Sequence, residues 1–214
     1  MATNTKITKA NSPRTFNFIS GLPRSGSTLL SAILRQNPKF HAGMTSPVGG
    51  LFANLIASVS AGSEMGPMVS TEQRKRLLRG LFESYYADLP TDRTMVFDTN
   101  RSWTANLAAV TDLYPEAKVI CCVRNVAWVV DSMERQFQSS PFENTRLFGD
   151  ANQRSSVFTR CEALLNRNGM VGYAWSALQE ALYGVNADKL LLIDYDLLVA
   201  RPAEVLGLIY GFLG

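Results

Sequence analysis

The stretch Phe16 to Leu34, FNFISGLPRSGSTLLSAIL, constrains the fold most, because an apolar run, a glycine-bracketed loop and a second apolar run follow one another directly. It reads as a buried strand over Phe16 to Ser20, a tight loop, and a helix over about Thr28 to Gln36 that Asn37-Pro38 ends. A strand that feeds a loop into a helix N-terminus gathers backbone N–H groups without intrahelical partners. The helix dipole adds to their attraction for an anion. The Walker pattern G-x-x-x-x-G-K-[ST] requires lysine directly after Gly26, whereas Ser27 and then Thr28 stand there, and the loop's cation comes earlier at Arg24. Such a loop suits one anionic group better than a triphosphate.

Further strands are expected at Met95 to Asp98, a short one, at Val119 to Val123, an apolar, partly β-branched run suited to burial on both faces, and at Leu190 to Asp194, another buried strand. Helices are expected over Leu51 to Val59, Thr71 to Asp88, Thr104 to Tyr114 and Pro202 to Leu213. In the second of these, Leu77, Leu78, Leu81 and Phe82 form the apolar face. Gln153 to Gly184 reads as helical with breaks near Gly169 and Gly172. His41 to Gly50 and the polar Gln138 to Asn152 read as loops. Strands alternating with helices predict an α/β fold, a single domain with a central parallel sheet flanked by helices. Residues 1–14 form a flexible lead-in, and 15–214 form the domain.

Length and charge narrow the function classes. A chain of 214 residues with 46% hydrophobic residues suits one well-buried domain. A net charge of +3, with no basic run interleaved with aromatics, argues for no nucleic-acid partner. Cys121, Cys122 and Cys161 give no disulfide framework, and one histidine leaves no zinc spacing, so no metal is expected. No apolar run reaches membrane-spanning length, and the first residues lack a signal-type core, so the expectation is a cytoplasmic protein without a membrane partner. Trp103, Trp128 and Trp175 are expected in the core or a pocket wall.

Two segments extend the reading of the loop. Arg124 ends the strand Val119 to Val123, Asn125 is placed to cap the next helix, and Ser132 lies two turns into it. Ligands of open α/β sheets bind outside the carboxyl ends of the strands. The run Leu22-Pro23-Arg24-Ser25-Gly26-Ser27-Thr28-Leu29 resembles the 5′-phosphosulfate loop of sulfotransferases that use 3′-phosphoadenosine 5′-phosphosulfate (PAPS), with the pattern P-[KR]-S-G-[ST]-T. Arg124 and Ser132 match the family's 3′-phosphate element. Ile193-Asp194-Tyr195-Asp196-Leu197-Leu198, with Arg201-Pro202 and Phe212-Leu213-Gly214, resembles a third family landmark, in which Tyr195 lies near the adenine.

The resemblance implies a P-loop NTPase-like sulfotransferase fold. It also implies in-line transfer of a sulfuryl group from PAPS to an acceptor hydroxyl or amine, releasing 3′-phosphoadenosine 5′-phosphate (PAP) without a metal. Arg24, Ser25, Gly26, Ser27 and Thr28 would bind the 5′ end, Arg124 and Ser132 the 3′-phosphate, and Tyr195 the base. Relatives continue past the position of Gly214 into a basic, glycine-containing segment that closes over the cofactor, so the adenosine side is expected to be open here.

The family's catalytic bases do not carry over. The glutamate of tyrosylprotein sulfotransferases is matched by Gly43-Met44-Thr45-Ser46-Pro47, and the lysine and histidine of the cytosolic enzymes by Asp98-Thr99-Asn100-Arg101. Candidate catalytic residues within this chain are Asp98 or His41 as base and Arg101 as the cation. The acceptor class and the oligomeric state stay open at this point, with Thr45 to Ser58 and Gln138 to Gly172 as the pocket-lining segments. Two other functions fit the loop, namely a P-loop kinase of a nucleotide or small metabolite and a non-catalytic nucleotide-binding protein.

Overall fold

Five short strands carry the structure, a computed structural model that describes residues 14–140, 142 and 147–214. They are β1 (Thr15–Gly21), β2 (Phe40–Ala42), β3 (Met95–Thr99), β4 (Val119–Val123) and β5 (Leu190–Asp194). All neighbours pair in parallel in the order β2-β3-β1-β4-β5, so β1 is central and its carboxyl end meets those of β3 and β4. The expected parallel α/β sheet is present, with one strand more than the sequence suggested.

Side-chain alternation along β1 and β3 assigns the two faces. Phe16, Phe18 and Val96 pack with Phe52, Phe82 and Trp103 beneath helices α2 (Val48–Val59), α3 (Thr71–Tyr85) and α4 (Leu107–Leu113). On the opposite face Ile19, Phe97, Ile120 and Cys122 meet Leu30, Leu198 and Ile209. These come from α1 (Ser27–Leu34), α9 (Tyr195–Ala200) and α10 (Pro202–Leu213). A smaller cluster, including Val129, Met133, Leu164 and Val171, joins α5 (Val126–Ser139), α7 (Val157–Leu165) and α8 (Met170–Tyr183). The remaining short helix is α6 (Ala151–Arg154).

Several boundaries differ from the sequence reading. The expected loop from His41 contains the end of β2, with Phe40 and Ala42 buried, so His41 sits on a strand. The expected Thr104 to Tyr114 helix begins instead with a 3-10 turn, Arg101–Trp103, and its α part starts at Leu107. The expected break at Gly172 does not occur, since α8 starts at Met170 with Gly169 as its N-cap. A Cβ at Gly172 would run into the Asn166 carbonyl, so the glycine is needed for helix packing. The lead-in over 1–13 and residues 141 and 143–146 of the expected polar loop lie outside the described residues. Leu77, Trp128 and Trp175 are exposed, while Trp103 is fully buried.

The α5–α7 junction is held by an enclosed ion pair. Arg160 donates from Nε to Glu134 Oε2 at 2.8 Å and from its terminal nitrogen to Oε1 at 2.5 Å, and its guanidinium lies 4.4 Å over the Phe137 ring. That bidentate bond from Arg160 holds the Glu134 carboxyl below its usual range.

Candidate active site

The loop after β1 takes its shape from three residues with positive φ, Gly21 at 137°, Arg24 at 59° and Gly26 at 94°. At Gly21 a Cβ would strike the backbone of Cys122 on the neighbouring strand, so the chain can leave the sheet here only as glycine. Arg24 holds a left-handed conformation that a non-glycine residue adopts at some cost, a pattern that concentrates at ligand-binding loops. Ser25 is 1% exposed, and its hydroxyl lies 2.6 Å from the Leu22 carbonyl and 2.8 Å from that of Cys122. Its side chain therefore pins the loop to β4, which leaves its backbone N–H for a ligand. Gly26 caps α1 with no side-chain cap and no acidic residue in the first turn, so the first N–H groups face outward without a local competitor. Ser27 is half-buried and Thr28 exposed there.

The second anion element meets the first. Asn125 Oδ1 accepts from Ala127 N at 2.9 Å and starts α5, which places Ser132 two turns along. Arg24 Nε donates to Ser132 Oγ at 3.1 Å, so residues 108 apart in sequence share one surface. Arg124 leaves β4 with its guanidinium 4.2 Å over the Tyr195 ring, and its Nε is buried with no hydrogen-bond partner among the described residues. A buried, unpartnered guanidinium nitrogen is costly, and an arriving anion would satisfy it. Tyr195 begins α9, where Asp194 Oδ1 accepts from the N–H groups of Asp196 and Leu197. A Cβ on Gly26 would lie 2.7 Å from the Tyr195 ring. The tyrosine thus packs between the loop and Arg124.

The three candidates for catalysis separate into a buried cluster and a cleft. Asp98 lies on the β3 face opposite α1 and is 0% exposed. Its carboxylate accepts from Ser46 Oγ at 2.6 Å, Tyr86 OH at 2.5 Å and Trp103 Nε1 at 2.8 Å. Burial raises the Asp98 pKa, with the three hydrogen bonds opposing it. The His41 ring stands edge-on to Tyr86 at 5.4 Å, and burial together with nearby Arg93 lowers its pKa, so the imidazole is neutral at pH 7. Arg101 lies apart from these two. Its guanidinium makes no hydrogen bond or ion pair among the described residues and lines a cleft of about 450 Å³ with Gln153, Asn168 and Tyr173. Desolvation lowers its pKa from that of free arginine.

Sequence reasoning did not find the residues that aim Arg101. Ser20, 2% exposed, donates from Oγ to the Arg101 carbonyl at 2.9 Å and accepts from Thr104 N at 3.1 Å and Thr104 Oγ1 at 2.6 Å. Asn100 Oδ1 accepts from Ser102 N at 3.0 Å, and Trp103 is tied to Asp98. A serine directly before the loop's first glycine was the available signal for Ser20. Tyr86 carried none, since nothing in the sequence shows that the residue just past α3 turns its hydroxyl onto Asp98.

No group of three or more metal-ligating side chains occurs among the described residues, and no helix there is long and apolar enough to cross a membrane. None of the curated proteins compared with this chain matches it. Among solved structures, a sulfotransferase domain from the curacin biosynthetic pathway superposes with a TM-score of 0.60 at 17% identity, covering 95% of this chain and 75% of that one. The sulfotransferase domain of the Synechococcus PCC 7002 olefin synthase gives 0.54 at 19% identity, covering 96% and 75%. A sulfotransferase from Alicyclobacillus acidocaldarius gives 0.60 at 16%, covering 95% and 81%. At these identities the likeness is one of fold, the P-loop-like sulfotransferase arrangement. A sulfotransferase family profile matches residues 17–214, nearly the whole chain, and the chain therefore belongs to the sulfotransferase family.

Proposed function

We propose that this sulfotransferase uses PAPS as donor and transfers its sulfuryl group in line to an acceptor hydroxyl. The observation that carries the reading is the pairing of a phosphate-type loop with Arg124, whose buried Nε lacks a partner beside that loop. The N–H groups at Gly26, Ser27 and Thr28, with Arg24, hold the 5′-phosphosulfate end, while Arg124 and Ser132 take the 3′-phosphate. Tyr195 supports both by packing on Gly26 and under Arg124.

In the reaction the sulfur–oxygen bond to the 5′-phosphate breaks and a new one forms to the acceptor oxygen. The helix α1 N-terminus and Arg24 stabilise the charge left on PAP, and Arg101 stabilises charge at the transferring group from the cleft side. The acceptor's proton goes to Asp98 through Ser46. Of the three donors around that carboxylate, Tyr86 and Trp103 are buried, and Ser46 alone is partly open. The raised pKa of Asp98 suits it to keep that proton.

Thermal stabilisation tests the donor assignment. PAP is expected to stabilise the protein more than 5′-AMP or ATP with magnesium, because PAP alone engages both anion elements. Equal shifts for PAP and AMP would remove the 3′-phosphate site, and a larger shift with ATP and magnesium would favour a kinase.

A further inference from the structure

The parallel sheet has a second set of strand ends, opposite the loop after β1, where β1 begins at Thr15 and the chain enters β4 past Ala117. A cleft of about 740 Å³ opens there between α3 and the end of α4. Phe16, Leu113 and Ala117, all buried, give it an apolar lining, extended by the exposed Ala87 and Pro115. Two guanidiniums and two carboxylates complete it, Arg14 and Arg79 with Glu83 and Glu116, and Thr15 adds a hydroxyl. A volume in the range of small-molecule sites thus combines a balanced set of charges with hydrocarbon.

Not all of these groups are engaged. Arg14 donates its terminal nitrogens to the Tyr86 carbonyl at 2.8 Å and the Leu89 carbonyl at 2.5 Å, so it forms a fixed wall. Arg79 uses only Nε, bonded to the Leu113 carbonyl at 3.0 Å, and its terminal nitrogens make no bond among the described residues. Glu83 lies one turn further along α3, on the same face as Arg79, yet no salt bridge joins them, and Glu116 is equally unpaired among the described residues. The Tyr114 hydroxyl is buried and also lacks a hydrogen-bond partner among the described residues. Burial raises its pKa, Glu83 adds to the rise and Arg79 opposes it, so the hydroxyl lies within the field of both charges. A buried hydroxyl without an acceptor is costly, and an anionic oxygen between it and Arg79 would supply one.

A carboxylate suits that pair of donors. Alone it would leave the two glutamates uncompensated, and a dianion would be repelled by them. An ammonium beside the carboxylate removes the conflict, and an apolar side chain gains by covering Phe16, Leu113 and Ala117.

We propose that this cleft is a binding site for a zwitterionic α-amino acid with an apolar side chain, its carboxylate on Arg79 and Tyr114 and its ammonium toward Glu83 and Glu116. The site stands at the amino ends of the strands and is independent of the sulfuryl-transfer reading.

Calorimetric titration of the full chain with L-phenylalanine, its amide, its N-acetyl derivative and glycine tests the proposal. L-phenylalanine is expected to bind. The other three each lack one charge or the side chain and are expected to bind at least about tenfold more weakly, the scale of one charge-assisted bond. Tyr114→Phe removes the unpartnered hydroxyl and keeps the ring that lies 5.0 Å from Phe16. It is expected to leave the Tm of the free protein equal or higher while weakening L-phenylalanine binding about tenfold. Glu83→Gln, at an exposed position, should weaken L-phenylalanine but not its N-acetyl derivative. L-phenylalanine should bind equally with and without saturating PAP. Absence of L-phenylalanine binding, equal affinity for all four compounds, or a lower Tm in Tyr114→Phe with undiminished L-phenylalanine affinity would each overturn the proposal. So would competition between L-phenylalanine and PAP, which would place the amino acid at the loop after β1. L-phenylalanine binding without any response to PAP would remove the donor reading and leave this site standing.

Discussion

Replacing Arg124 by alanine separates stability from binding, because the two are expected to respond differently. In the protein as it stands, the buried Nε without a partner costs on the order of 1–3 kcal/mol. Stacking of the guanidinium on Tyr195 returns about 0.5–2 kcal/mol. Their removal together should leave the free protein within about 2 kcal/mol of its original stability, a Tm change below roughly 8 °C for a domain of this size. In the complex, the same side chain makes charge-assisted bonds to a phosphate, worth about 1.5–3 kcal/mol, so PAP affinity should fall about 10- to 150-fold. Calorimetric titration with PAP and with 5′-AMP is the assay, and AMP affinity should change less than about threefold on this reasoning. Arg124→Lys should recover only part of the loss, since an ammonium lacks the planar fork. Equal losses for PAP and AMP, or unchanged PAP affinity, would refute the assignment.

The proton path predicts that Ser46→Ala and Asp98→Asn each lower turnover about 10²-fold or more with PAP affinity within about twofold, while His41→Ala stays within about threefold. A large fall confined to His41→Ala would move the base to that residue. Gly26→Ala forces a side chain into φ 94° and against Tyr195, so it should lower Tm measurably and weaken PAP binding at least about tenfold in the same titration. A variant with unaltered binding would show that the loop shape is not used. Glu134→Ala leaves Arg160 enclosed without its partner and should cost about 3–5 kcal/mol by urea denaturation. Because the folded-state pKa of Glu134 is depressed, its contribution is present above the ordinary glutamate range and lost as pH falls through the lower folded value. The gap between wild type and variant should therefore narrow on acidification below about pH 4.5. A gap independent of pH would refute the ionic origin.

Local signals were enough for the central strands and the donor loop. The runs at Val119–Val123 and Leu190–Asp194 coincide with β4 and β5, but only β4 is buried as expected, since β5 lies at the sheet edge with Ile193 buried and Leu192 exposed. Edge strand β2 was invisible because three residues, FHA, are too few to show an alternation. Helix α2 starts at Val48 rather than Leu51, since Gly49 and Gly50 lower its propensity while packing overrides it. A Cβ at Gly49 would collide with Asn100. The Asp98 cluster was legible only in part. Sequence shows an acidic residue ending a strand, but it is the pleat that turns Asp98 toward Tyr86 and Trp103 rather than toward α1. Long-range pairs such as Arg24 with Ser132 depend on the order of strands in the sheet, which no local pattern encodes.

The last two residues of β1 tie the loop after β1 to the turn that carries Arg101. Consecutive residues of a strand point to opposite faces, and here the alternation is put to use. Ser20 faces the α2–α4 layer and carries the turn that presents Arg101, through its bonds to the Arg101 carbonyl and to Thr104. Gly21 lies against β4 and launches the loop that ends in the α1 N-terminus. The loop side is braced again where Tyr195 packs on Gly26 and beneath Arg124, and the Arg101 side where Asp98 holds Trp103. Each half is thus fixed to its own layer of the core, and the two halves meet across a single peptide unit of the central strand. In-line transfer needs the attacking oxygen and the leaving phosphate on opposite sides of sulfur at a fixed span. If the proposed in-line transfer holds, the strand between the Arg101 turn and the loop after β1 would supply that span without requiring either loop to be rigid by itself.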